Sequence, residues 1–314
     1  MIDELFMLVR VSMPMPRLVI VLTIFSFCTA SAEPFTDTLS VGKARIELFI
    51  EDKPFDLSTD ELRAWVLQRA EIVARFYDGF PVGEAFIAIR GRRGGRVMMG
   101  RAFGLNGAVV NVDVGLVTTE AILYKDWVLI HEMIHLAFPS VPRRHHWIEE
   151  GLSTYIESVS RAQAGKLDAA SVWLGLMDGI PKGLPKSGDR GLDNTPTWGR
   201  TYWGGALFSL LADIRIREAT NGEKSLRDGL RGIVQAGYDI THSSDLRPVL
   251  EIADAATGVA EITALYDQMR SSPYPTEVDT LWRELGLEIV DGGIVFDDAA
   301  PRSAVRKALT SPGI

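Results

Sequence analysis

The feature that most constrains this chain is the segment LIHEMIH, residues 129–135, inside the stretch TEAILYKDWVLIHEMIHLAF that ends at Pro139. The apolar residues around it predict a helix over 118–138. Two histidines four apart on a helix lie one above the other on a single face. His131 and His135 can therefore reach the same metal ion. Glu132 sits one position round, where its carboxylate addresses a bound water instead of the ion. Imidazoles joined by an oxygen donor, with one position left open, favour zinc.

Such a site needs a third protein ligand. The segment HHWIEEGLSTY predicts a second amphipathic helix over 146–163 that can carry a carboxylate to the metal. Glu150 is the better candidate because Gly151 after it allows two helices to approach closely. Glu149 reads as a solvated residue or an outer partner of the site. His145 and His146, which follow a turn containing proline and arginine, read as polar loop residues, with either placed so that it can line the cleft. Four of the five histidines of the chain thus crowd into 131–146, and two of them have a metal to hold.

Around this site the order of elements is α+β: a small sheet-rich N-terminal lobe over 33–116, then a mainly helical lobe over 117–314, the two together forming one catalytic domain. Residues 38–52 alternate as a strand, and the helix after it opens with a capping-box pattern, Ser58 with Glu61. Two or three strands follow within 84–115, broken at Gly94-Gly95 and Asn106-Gly107. Further helices are predicted over 200–219, 224–235 and 276–285, and a hairpin turning at Asp291-Gly292. Residues 178–199 are rich in glycine and proline without any period and predict a long excursion.

The ends and the charge narrow the setting. Arg17, an apolar run from Leu18 to Phe27 and then Ala30-Ser31-Ala32 have the order of a secretory signal peptide, cleaved near Ala32. The run is too short to be a good membrane span, so no stable membrane insertion is expected after cleavage, and the expected location is periplasmic or secreted. The only cysteine, Cys28, falls in this segment, so the mature chain has neither disulfide nor thiol nucleophile. A net charge of −8 argues against nucleic acid as a partner, because phosphate binding needs a basic face.

H-E-x-x-H followed by WIEEG at 147–151 resembles the gluzincin zinc metallopeptidases, and is similar to their aminopeptidase N and glycyl aminopeptidase branches. The block YWGGAL at 202–207 resembles the Y-x-K-G-A-L segment of those branches, with Gly204 where lysine is common. The resemblance implies a thermolysin-like zincin fold, one zinc ion per chain, a peptide or protein substrate, and Tyr202 as hydrogen-bond donor to the oxyanion. It also sets GAVVN, 107–111, where the aminopeptidase N relatives carry G-A-M-E-N on an edge strand that holds the substrate backbone. Gly107, Ala108, Val109 and Val110 are on that basis the substrate-binding candidates. Val110 stands in place of the glutamate that grips the free α-amine, which argues against an aminopeptidase of the usual kind, with Asp113 and Glu149 as alternative anchors.

The expected chemistry follows: zinc on His131, His135 and Glu150, Glu132 as general base, and Tyr202 as oxyanion donor. Two rival readings are an aminopeptidase with a different amine anchor and a non-catalytic envelope protein that keeps the fold for binding. Comparing N-blocked with free peptides separates the first. Zinc content together with casein cleavage separates the second.

Overall fold

The computed structural model describes residues 34–312; the signal segment expected over 1–32 lies outside them. The chain enters as a hairpin, β1 (Phe35–Val41) against β2 (Ala44–Ile50), where the sequence predicts one strand over 38–52. The break falls at Gly42-Lys43, where Gly42 takes a φ of 59° that suits the tight turn. The alternation that marked a single strand continues through the turn, which hid it. Helix α1 (Thr59–Tyr77) then begins with the expected capping box, Ser58 and Glu61 satisfying each other's backbone N–H groups.

Strands β3 (Glu84–Arg92), β4 (Val97–Phe103) and β5 (Ala108–Gly115) complete a five-stranded sheet of order β1-β2-β3-β5-β4. β3 runs parallel to β2 through the α1 crossover, and β5 pairs parallel with β3 and antiparallel with β4. This arrangement corrects the expectation for 107–111. β5 is hydrogen-bonded on both sides, and Val110 is fully buried, so the free edge belongs to β4.

The helix predicted over 118–138 is two helices, α2 (Glu120–Leu123) and α3 (Val128–His135). Asp126 divides them: its carboxylate accepts from the Val128 and Leu129 N–H groups and starts α3 afresh. Arg69, buried on α1, fastens the break by donating to the Tyr124 carbonyl at 2.7 Å. Beyond it come α4 (His146–Gln163), α5 (Ala169–Gly179), α6 (Gly205–Ala219), α7 (Leu226–Gln235), α8 (Leu246–Thr257), α9 (Glu261–Met269) and α10 (Val278–Leu285). The hairpin of β6 (Leu287–Val290) and β7 (Gly293–Phe296) and helix α11 (Ser303–Thr310) end the fold. Asp291 and Gly292 both have positive φ, as the expected two-residue turn requires.

The fold is α+β, a sheet followed by a mainly helical region, and one buried apolar cluster runs from Leu39 on the sheet to Leu309 on α11. α3 lies between the sheet and α4, within reach of β4 on one side and α4 on the other. That position puts the motif helix beside the free edge of the sheet at β4. Among the described residues no helix is long and apolar enough to cross a membrane.

Candidate metal centre

Helix α3 is fixed by its apolar residues: Val128, Leu129, Ile130, Met133 and Ile134 are all buried. That burial leaves His131, Glu132 and His135 facing a cleft. Helix α4 is anchored the same way, through Trp147, Ile148, Leu152, Tyr155 and Ile156, and presents Glu150 to the two histidines. His131 Nε2 lies 3.1 Å and His135 Nε2 3.6 Å from Glu150 Oε2. One ligand atom from each of the three residues falls within 4.8 Å of the others. Two imidazole nitrogens and one carboxylate oxygen, from residues buried or nearly so, form a donor set suited to zinc.

Gly151 does allow a close helix approach, but its partner is α6. A Cβ on Gly151 would stand 2.7 Å from the Gly205 carbonyl oxygen and closer still to its Cα. A Cβ on Gly205 would in turn lie 2.7 Å from the Gly151 Cα. The two glycines let α4 and α6 cross in backbone contact, and this crossing brings Tyr202 to the site. Tyr202 sits in a π-helical turn, Arg200–Gly204, ahead of α6, a distortion frequent at functional sites. Its ring stacks on His131 with centroids 6.3 Å apart. Burial, joined by the charges of Glu150 and Glu132, pushes its hydroxyl up to about 12, so it remains a donor at neutral pH.

Glu132 is apart from the ligand set. Its side chain lies under β4, where the Ala102 backbone hydrogen-bonds it. A Cβ on Gly100 would come within 2.8 Å of its Oε1. Burial lifts its carboxyl to about 7, against the pull of His135. Burial also pushes the His131 imidazole down. His135 is raised despite its burial, because Glu150 accepts from it. Glu150 is held well below the ordinary carboxylate range: burial opposes this, but hydrogen bonds from His131, His135 and His146 prevail.

These groups open onto a cavity of about 840 Å³. Met98 to Leu105 along β4 form one wall, with Trp127, Phe138, His146, Glu149, Tyr202 and the 240–243 loop around it. Gly107, Ala108, Val109 and Val110 do not line it, because β5 is one strand further in. The resemblance sets GAVVN on an edge strand, whereas the edge beside this cavity is β4, VMMGRAF. An isolated G-A-x-x-N match carries no register, which only the sheet order reveals.

The other candidate residues take several places around the site. His145 is buried, with Nδ1 2.9 Å from Asp193 Oδ1, and Trp147 donates to the same oxygen at 2.8 Å. It is a packing residue, not a loop side chain. His146 lines the cavity and bridges Glu149 at 2.9 Å and Glu150 at 3.2 Å. Asp113 pairs with Arg92 at 3.2 Å, away from the cavity, whereas Glu149 lines it. The excursion after α5 is pinned down by Asp193 and by the buried Arg200–Asp189 pair at 2.8 Å, and none of it lines the cavity. Gly204 backs onto this segment: a Cβ there would stand 2.9 Å from Leu192 Cδ2, so a larger residue requires that side chain to shift.

Sheet, motif helix and ligand helix together form an architecture that resembles the zincin-like fold of metallopeptidases. No family model and no curated protein sequence matches the chain. Solved structures do. An aminopeptidase N family protein from Idiomarina loihiensis matches with a TM-score of 0.59 at 13% identity, over 82% of this chain and 50% of that one. An M1 zinc metallopeptidase from Deinococcus radiodurans, solved with a Tyr-Ser-Ala substrate, matches with a TM-score of 0.52 at 14% identity, over 78% and 53%. At these identities the likeness is one of fold, and the chain spans about half the length of the solved structures it matches.

Proposed function

We propose that the chain is a zinc-dependent peptidase that hydrolyses peptide bonds with Glu132 as general base. The observation that carries this reading is the meeting of His131, His135 and Glu150 beside a separate carboxylate, Glu132, under a free strand edge. The matched structures are titled zinc metallopeptidases or aminopeptidase N relatives, which supports zinc and peptide chemistry.

Zinc held by the three ligands supplies Lewis acidity, polarising a carbonyl and lowering the pKa of water from about 15.7 towards about 7. An extended substrate adds to the edge of β4 through main-chain hydrogen bonds, which sets its carbonyl above Glu132. Glu132 takes the proton of the attacking water on its carboxylate and returns it to the leaving amine. Tyr202 donates its hydroxyl proton to the developing oxyanion. Burial of His131 and Glu150 excludes water from the ligand side and strengthens these interactions.

The test is Glu132→Gln. It retains zinc and loses nearly all turnover on peptide substrates; full activity would refute the assignment.

A second reading has its own observation. With β5 inside the sheet, Val110 no longer bears on the substrate terminus, and Glu149 offers a carboxylate on the cavity wall. An aminopeptidase using Glu149 for the α-amine would cleave free peptides and spare N-blocked ones, whereas an endopeptidase would cleave both. The sequence of 17–32 supports export to the periplasm or beyond, with peptides or proteins there as substrates. Detecting the mature N-terminus near residue 33 in secreted material tests that.

A further inference from the structure

The edge strand carries a cation that the proposed chemistry does not use. Successive side chains of a strand point to opposite faces. On β4, Gly100 faces α3, since a Cβ there would run into Glu132. Arg101 therefore points to the other, solvent-facing side of the sheet, where it is exposed and lies over the Phe103 ring at 5.9 Å. It stands opposite Asn111 on β5, and its charge acts on Glu132, pulling that carboxyl down against its burial. Yet it lines the cavity, because its strand is the wall beside Glu132. Arg90 on β3 and Arg93 and Arg96 in the connection from β3 to β4 are also exposed.

Resting on the peptidase reading above, we propose that Arg101 sets a preference for an acidic side chain, aspartate or glutamate, within two residues of the cleaved bond. A peptide added to β4 as a sixth strand has one residue directly across from Arg101, on the same face. Cross-strand neighbours of opposite charge attract and those of like charge repel. Position 101 is next to Gly100, which backs onto Glu132, so the residue it meets lies close to the bond under attack. The exposed Phe103 ring flanks the guanidinium on the same face. This preference does not depend on recognition of a free amine or on the metal ligands.

The experiment maps cut sites in a peptide library with the zinc-loaded chain, its Arg101→Ala and Arg101→Glu variants, and Arg93→Glu as a control outside the cavity. Arg101 is exposed, so the variants are expected to fold and to bind zinc like the parent. The expected result is enrichment of aspartate or glutamate at one position within two residues of the cut, of roughly two- to fivefold, the range of a cross-strand charge pair. Arg101→Ala abolishes that enrichment, Arg101→Glu replaces it with lysine and arginine, and Arg93→Glu keeps it. Cutting with the same profile in parent and both Arg101 variants overturns this inference and leaves the peptidase reading standing. No cutting by the zinc-loaded parent overturns both.

Discussion

Replacing Gly100 by alanine adds one methyl group against the proposed general base. The new Cβ would stand 2.8 Å from Glu132 Oε1 and 2.9 Å from its Cδ. Ordinary contacts between heavy atoms begin at about 3.5 Å, so the carboxylate has to move by roughly 1 Å. Glu132 is buried between α3 and β4, and β4 is hydrogen-bonded to β5, so the side chain yields before the strand does. A displacement of about 1 Å in a catalytic group costs on the order of a hundredfold in rate, or about 2.7 kcal/mol in the barrier. The overpacking itself destabilises by about 1–3 kcal/mol. The assay measures kcat on a cleaved peptide, zinc by mass spectrometry and the thermal midpoint, beside Met99→Ala on the opposite face of the strand. The expectation is a large fall in kcat with zinc content unchanged for Gly100→Ala, and near-parental kcat for Met99→Ala. If Gly100→Ala turned over at the parental rate, β4 would not lie over the reacting groups and the account of the cleft would fail.

Tyr202→Phe removes the oxyanion donor and is expected to lower kcat by roughly a hundredfold or more, with zinc content unchanged; an equal fall in zinc would make it a packing residue instead. The part-buried Glu157 carboxyl is pushed up from 4.5 to about 7 by desolvation, against the pull of Arg161. The folded chain therefore holds that proton more tightly than the unfolded one, so the contribution is present below pH 4.5 and lost as pH rises through about 7. At about 1.4 kcal/mol per pH unit the full window is worth at most roughly 3 kcal/mol. Denaturant titrations of metal-free protein are expected to show stability falling across this window and the slope reduced in Glu157→Gln; equal slopes would remove Glu157 as the source.

What the sequence disclosed depended on how local the signal was. His131, Glu132 and His135 need only one helix turn to come together, so their spacing alone placed them on one face. Glu150 required a second helix, which its amphipathic pattern and the adjacent glycine indicated, although Gly151 turned out to meet α6. Tyr202 came from resemblance and is brought near by the Gly151–Gly205 crossing, a contact no periodicity reports. The strand beside the cleft was misplaced because strand order is a non-local property: β5 and β4 read alike until their neighbours are known. Helices α5, α8, α9 and α11 were not read from the sequence. α5 carries two glycines in its last five residues, and α8 carries Pro248 in its first turn, where proline is tolerated but reads as a stop. The break at Asp126 was missed because a buried carboxylate capping α3 looks, in sequence, like one polar residue on a helix.

The central claim is that His131, His135 and Glu150 hold one zinc ion, and the direct measurement is metal stoichiometry after dialysis against zinc and then against metal-free buffer. The parent and Glu132→Gln are expected to retain one zinc per chain, and Glu150→Ala to lose it. A parent that emerges metal-free, or a Glu150→Ala variant that keeps its zinc as tightly as the parent, would contradict the claim.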